Sequence, residues 1–240
     1  MSESFLFSID GIKIEGKPGQ TILQAADEAG VYIPRLCAHK DLAPFGACRV
    51  CTVMVNGRPQ AACTTPAAKG MVVENETEAL KKHRCSLVEM LFVEGNHYCM
   101  FCEKSGNCEL QATAYRLGIL APRYPYQFPR QDVDASHPDV WIDRNRCILC
   151  GRCVLASRDL DGKHVFQFVG RSTDKKIWVN AEAHLADTNL GGADKAVDIC
   201  PVGAILRKRV GYTVPVGQRL YDIKPIGSDI EARRPAAPGR

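Results

Sequence analysis

The placement of cysteine constrains this chain more than any other feature. Cys147, Cys150 and Cys153 stand at two-residue gaps, and Cys200-Pro201 follows after 46 intervening residues. That spacing lets one tight loop point three thiolates at a single [4Fe–4S] cube, with a distant Cys-Pro as the fourth corner. In a chain holding two such cubes the run would go on to its own Cys-Pro pair, serving the second cube. Here Ser157 stands where that cysteine would fall. The three partners expected before Cys200 are replaced by Leu190, Ala193 and Ala196. One cube held by Cys147, Cys150, Cys153 and Cys200 explains both losses together. A structural zinc site also uses Cys-x-x-Cys pairs, but it takes two pairs and leaves the third cysteine over.

Twelve cysteines in 240 residues far exceed ordinary intracellular usage. Disulfides need an oxidising compartment. Met1-Ser2-Glu3-Ser4-Phe5 has neither the basic nor the apolar region of a signal peptide, so the expected location is cytoplasmic. No stretch approaches the ~18 apolar residues of a membrane span. Clustered cysteines in such a chain favour metal ligation. A net charge of +4 is too mild to argue for nucleic acid.

Phe5, Phe7 and Ile9 alternate, as do Ile12 and Ile14, and Asp10-Gly11 between them signals a two-residue hairpin. Thr21 and Gln24 form a capping box ahead of an apolar stripe from Ile22 to Ala29, and Gly30 stops that helix. Thr52 to Val55 reads as a strand turned by Asn56-Gly57, with Pro59 marking an edge, and Val72-Val73 adds another. Hairpin, helix and further strands follow a β-grasp order. Within it lie Cys37, Cys48, Cys51 and Cys63, at gaps of ten, two and eleven residues. The plant-type [2Fe–2S] pattern shares the central Cys-x-x-Cys and a small-residue loop before it. Zinc or buried free thiols remain open on spacing alone.

Thr77 to Val93 has helical apolar spacing, and Gly95-Asn96 ends it. Cys99, Cys102 and Cys108 then offer three corners of another [4Fe–4S] cube. The fourth corner falls to His97, Cys85 or His83. Cys108 opens a further helix. From 119 to 138, prolines and aromatics mark a stiff, extended connector. Phe166 to Val169 and Ile177 to Val179 read as strands inserted before Cys200. The residues after Gly203 carry eight basic against three acidic side chains, ending in Arg233–Arg240, a segment unsuited to folding alone.

Four, three and four cysteines with one histidine complete three clusters, leaving Cys85 spare. There is no Gly-x-Gly-x-x-Gly after a strand, no phosphate-binding loop and no nickel-binding cysteine pattern. Three clusters without substrate chemistry read as a wire for single electrons.

The order Cys37/48/51/63, then "HYCMFCEKSGNCELQ", then "CILCGRC…CP" resembles the N-terminal region of the large iron–sulfur subunit of respiratory complex I. The same order opens some iron-only hydrogenases. In its short form, with the chain ending at Arg240, it resembles the diaphorase small subunit of soluble NAD-reducing nickel–iron hydrogenases. The resemblance covers nearly the whole chain. It implies an α+β protein: a β-grasp [2Fe–2S] ferredoxin domain over 1–78, a small helical His/Cys cluster domain over 79–118, the 119–138 connector, a ferredoxin-like [4Fe–4S] domain over 139–215 and a C-terminal tail over 216–240. It implies one [2Fe–2S] and two [4Fe–4S] clusters, with His97 as the histidine ligand. It also implies two partners, a flavin/NAD-binding diaphorase subunit and a nickel–iron hydrogenase small subunit. The relatives place three residues between the histidine and the first cysteine, whereas only Tyr98 intervenes here. Two other functions fit the residues: the iron–sulfur subunit of an NAD-linked formate dehydrogenase or of a short complex I-type NADH dehydrogenase, and a zinc-dependent scaffold.

Overall fold

The computed structural model describes residues 4–182 and 184–234. β1 (Phe5–Ile9) and β2 (Ile12–Gly16) pair antiparallel as the alternation predicts. Asp10 and Gly11 both take the left-handed conformation, with φ of 50° and 78°. That pair gives a turn whose twist matches the strands it joins. Thr21 then caps α1 (Ile22–Glu28): its hydroxyl accepts from the Gln24 N–H, while the Gln24 side chain accepts from the Thr21 N–H. Such a cap is worth roughly 0.5–2 kcal/mol.

β3 (Thr52–Val55) and β4 (Arg58–Ala61) form the second hairpin, and β5 (Val72–Glu74) completes a five-stranded sheet of order β2-β1-β5-β3-β4. β5 runs parallel to β1 and antiparallel to β3, so the last strand enters the middle. Pro59 lies on β4 at the edge, where its missing N–H costs no ladder bond. Phe7, Ile9, Ile14, Ile22, Val53 and Val73 form the core beneath α1.

α2 (Glu78–Val93) starts where the Thr77 hydroxyl accepts from the Leu80 N–H. Its Arg84 is buried and donates to the Asn75 and Thr52 carbonyls and to the Asn75 side chain, tying the helix to the first sheet. α3 (Glu109–Leu117) packs against α2 and ends at Gly118 in the left-handed conformation. The connector returns along α2: Gln127 donates to the Val93 carbonyl, and Arg123 pairs with the buried Glu89 carboxylate.

The connector gives way to β6 (Val133–Asp134), a short strand the sequence did not reveal. β6 pairs with β7 (Val140–Asp143). α4 (Arg152–Asp159), the hairpin of β8 (Phe166–Val169) and β9 (Lys176–Val179), α5 (Lys195–Asp198) and β10 (Ile205–Arg207) complete this part, with a sheet of order β10-β7-β6. One continuous core joins it to the helical part and to the Cys37 loop; Leu36, Val88, Leu110, Ile142 and Ala156 all belong to it.

The chain beyond 215 packs back on the protein. α6 (Leu220–Ile223) and α7 (Ser228–Glu231) bring Ile226 and Ile230 against Tyr32 and Ala112. Leu220 N–H donates to the Asn107 side chain, Tyr221 N–H to the Gly106 carbonyl, and Arg116 pairs with Glu231. Residues 235–240 of the basic terminus lie outside the described residues. Among the described residues no helix is long and apolar enough to cross a membrane.

Candidate metal centres

Cys37, Cys48, Cys51 and Cys63 come together at the loop edge of the first sheet. The Cys37 N–H donates to the Cys48 sulfur at 3.4 Å, and the Cys48 N–H returns a bond to the Cys37 sulfur at 3.5 Å. Cys63 is in side-chain contact with both Cys37 and Cys51, which closes the group of four. The contact with Cys63 lowers the Cys51 thiol, and contacts with Cys37 and then Cys51 push Cys63 up. Among the described residues, no three His, Cys, Asp or Glu donors close on one point as a lone ion requires. Four thiols gathered at one edge suit a two-iron body.

Cys99 opens a short 3-10 turn, Cys102 closes it, and Cys108 stands at the N-terminus of α3. All three line one enclosed void with His97, Phe92 and Leu110. The gap between His97 and Cys99 is spanned by a tight turn. Tyr98 has φ −80° and ψ 79°, and the Cys99 N–H donates to the His97 carbonyl at 3.0 Å. That is an inverse γ-turn, which lets the ring and the thiol serve one site across a single residue. His97 Nε2 is buried without a hydrogen-bond partner among the described residues. Burial and the nearby Arg146 charge hold the imidazole down at about 4, so it is neutral at physiological pH with a free electron pair. Burial pushes the Cys108 thiol up to about 12. Buried thiols and an orphaned imidazole nitrogen are costly alone and are relieved by metal ligation.

Two glycines are required here. A Cβ on Gly203 would stand 2.5 Å from the Cys102 sulfur, and one on Gly95 would stand 2.6 Å from His97 Nε2. Cys85 and His83 take no part in this void. Cys85 faces the Leu117 carbonyl at 3.8 Å, and His83 is exposed on α2.

Cys147, Cys150, Cys153 and Cys200 line a second void, walled by Ile142, Ile148, Ile177 and Val202. Leu149 and Gly151, at φ 52° and 79°, curl the loop back on itself. Leu149 is not a glycine, so that conformation stores roughly 1–3 kcal/mol in the loop. The Leu149 N–H donates to the Cys147 sulfur at 3.4 Å. Burial drives the Cys147 thiol up to about 12 and raises Cys150 and Cys153 as well. Arg152, the first residue of α4, has a buried Nε without a partner among the described residues, and its charge acts on Cys150 and Cys200 nearby.

The three sites touch through residues the cysteine spacing does not single out. Phe45, from the loop between Cys37 and Cys48, lies over Gly151 and stacks on Phe168 at 5.7 Å. Arg146 donates to the Cys102 sulfur at 3.7 Å, and the Asn96 N–H donates to the Asn145 carbonyl at 2.7 Å. The signal in the sequence is slight: of these residues only Arg146 is a charge directly beside a cluster cysteine.

Residues 2–78 match the family described as a 2Fe-2S iron-sulfur cluster binding domain. Residues 84–123 match the NADH-ubiquinone oxidoreductase-G iron-sulfur binding region, and 137–206 match the ferredoxin-like domain of NADH-quinone oxidoreductase subunit 3. The chain is 45% identical over 225 residues to the NAD-reducing hydrogenase HoxS subunit gamma of Cupriavidus necator, an alignment covering 93% of this chain and 95% of that one. It is 37% identical over 209 residues to the mitochondrial NADH-ubiquinone oxidoreductase 78 kDa subunit of Candida albicans. That alignment covers 85% of this chain but only 29% of that subunit. A chain in a crystal structure of NAD+-reducing [NiFe]-hydrogenase in the H2-reduced state superposes with a TM-score of 0.92 at 45% identity, covering 97% of this chain and 100% of that one. The complex I subunit shares only its first part with this chain, whereas the hydrogenase subunit matches it nearly end to end, and so the chain belongs to the family of the gamma subunit of NAD-reducing hydrogenases.

Proposed function

We propose that this chain relays single electrons between a flavin/NAD-binding diaphorase subunit and the small subunit of a nickel–iron hydrogenase. In this reading Cys37, Cys48, Cys51 and Cys63 hold a [2Fe–2S] cluster. His97, Cys99, Cys102 and Cys108 hold one [4Fe–4S] cluster, and Cys147, Cys150, Cys153 and Cys200 hold the other. Bound clusters supply one-electron redox chemistry. The protein's part is to hold them rigidly, exclude water and bring them near one another. The observation that carries the reading is that one continuous core runs from Cys37 through the other two cysteine-lined sites, and that direct bonds join the loops of those two. A chain that bound its metals for stability alone would not need its sites joined in this way.

Metal analysis of the anaerobically purified chain tests the ligand count. One two-iron and two four-iron clusters amount to about ten iron atoms per chain. Stoichiometric zinc with iron near roughly six would remove one four-iron cluster from the account. The same preparation should not reduce dyes with NADH or with hydrogen. Substantial NADH-dependent dye reduction by the pure chain would refute the relay.

A further inference from the structure

One side chain touches the loops of all three sites. Arg152 lies between Cys150 and Cys153, and its side chain is 2% exposed. Its two terminal nitrogens donate to the two carboxylate oxygens of Glu109 at 2.6 and 2.7 Å. One of them also donates to the Ala38 carbonyl at 2.9 Å. Glu109 follows Cys108, and Ala38 follows Cys37. The Glu109 N–H in turn donates to the carbonyl of Pro201, the residue after Cys200, at 2.8 Å. A single bidentate ion pair therefore reaches one residue from a cysteine of each site.

Stability is a weak reason to bury such a pair, since apolar residues of similar shape often serve as well. Charge is a better one. In a poorly solvated interior a fixed charge acts strongly on its neighbours. Reduction adds negative charge to a cluster, so a nearby cation favours it and a nearby anion opposes it. Arg152 sits in the Cys147 loop, and Glu109 adjoins the His97, Cys99, Cys102 and Cys108 site. The bidentate geometry also fixes the register of the loops, as a point charge on a flexible stem would not.

We propose that the Arg152–Glu109 pair is a positioning device that holds the three cluster loops in register and sets the potentials of the two four-iron sites. This rests on the relay reading above. The test is a redox titration, followed by electron paramagnetic resonance, of the assembled complex carrying the wild-type chain, Arg152→Gln, Glu109→Gln or both changes. Iron content is measured for each. Arg152→Gln should lower the potential of the Cys147 site, and Glu109→Gln should raise that of the His97 site. Each shift should be roughly tenfold in the ratio of reduced to oxidised cluster, about 59 mV for a one-electron couple. The double change should bring both sites back toward wild type. A purely structural pair would not produce shifts of opposite sign. Unchanged potentials at full iron content, or shifts of the same sign, would overturn the proposal. If Arg152→Gln does not fold, Glu109→Gln decides alone: a rise at the His97 site supports the proposal, and no change or a fall rejects it. Missing clusters in the wild-type chain would instead reject the relay reading.

Discussion

Cys200→Ala is expected to empty the Cys147 site and leave the other two filled. Cys200 is separated from Cys153 by 46 residues, yet it shares an apolar void with Cys147, Cys150 and Cys153. The intervening β8–β9 hairpin and α5 pack on α4 and deliver Cys200 to the loop. With three thiolates remaining and no other donor among the void's walls, a cube would lack one corner. Iron should fall from about ten to roughly six per chain, while the [2Fe–2S] spectrum persists. Coupled electron flow through the complex should drop by on the order of tenfold or more, because one cluster of the relay is lost. The effect on folding should be smaller, since one buried thiol is replaced by a methyl group and Ile142, Ile177 and Val202 still wall the site. A folded variant that keeps its Cys147-site signal and loses the [2Fe–2S] spectrum would show the grouping to be wrong.

The second large effect is expected at His97. His97→Ala should leave the Cys99, Cys102 and Cys108 cluster labile, prone to losing an iron during purification. His97→Cys should keep a cluster and lower its potential. Imidazole is a neutral donor and thiolate an anionic one, so the exchange adds a negative charge and disfavours reduction. Histidine raises the potential of Rieske centres by this logic, and a shift on the order of a hundred millivolts or more is expected here. Cys85→Ala should change neither occupancy nor potential, because that thiol faces the Leu117 carbonyl. Full occupancy at unchanged potential in His97→Ala, together with loss in Cys85→Ala, would transfer the role to Cys85.

Local features were legible in the sequence because their causes are local. Asp10-Gly11 sets its own turn, Thr21 and Gln24 cap their own helix, and two-residue gaps between cysteines need only one loop. The single-residue gap at Tyr98 was harder. Only the inverse γ-turn shows how ring and thiol reach one site across one residue. The entry of β5 beside β1 is a contact across more than sixty residues, which no local pattern encodes. α6 and α7 have four residues each, too few to show a helical period, and they are held by Tyr32, Asn107 and Arg116 rather than by their own propensity. Arg152 and Glu109 were hidden for a related reason. They are 43 positions apart, Ala38 is 114 from Arg152, and each alone looks like a surface charge. Burial and pairing exist only after three separate loops have converged.

The most direct measurement is reconstitution of the complex without this chain. The relay account predicts that such a preparation keeps both half-reactions, NADH-dependent dye reduction and hydrogen-dependent dye reduction, but has no hydrogen-dependent reduction of NAD. Adding back the cluster-loaded chain should restore the coupled reaction, and adding the Cys200→Ala chain should not. Coupled NAD reduction that proceeds without the chain, or that the Cys200→Ala chain restores in full, would contradict the account.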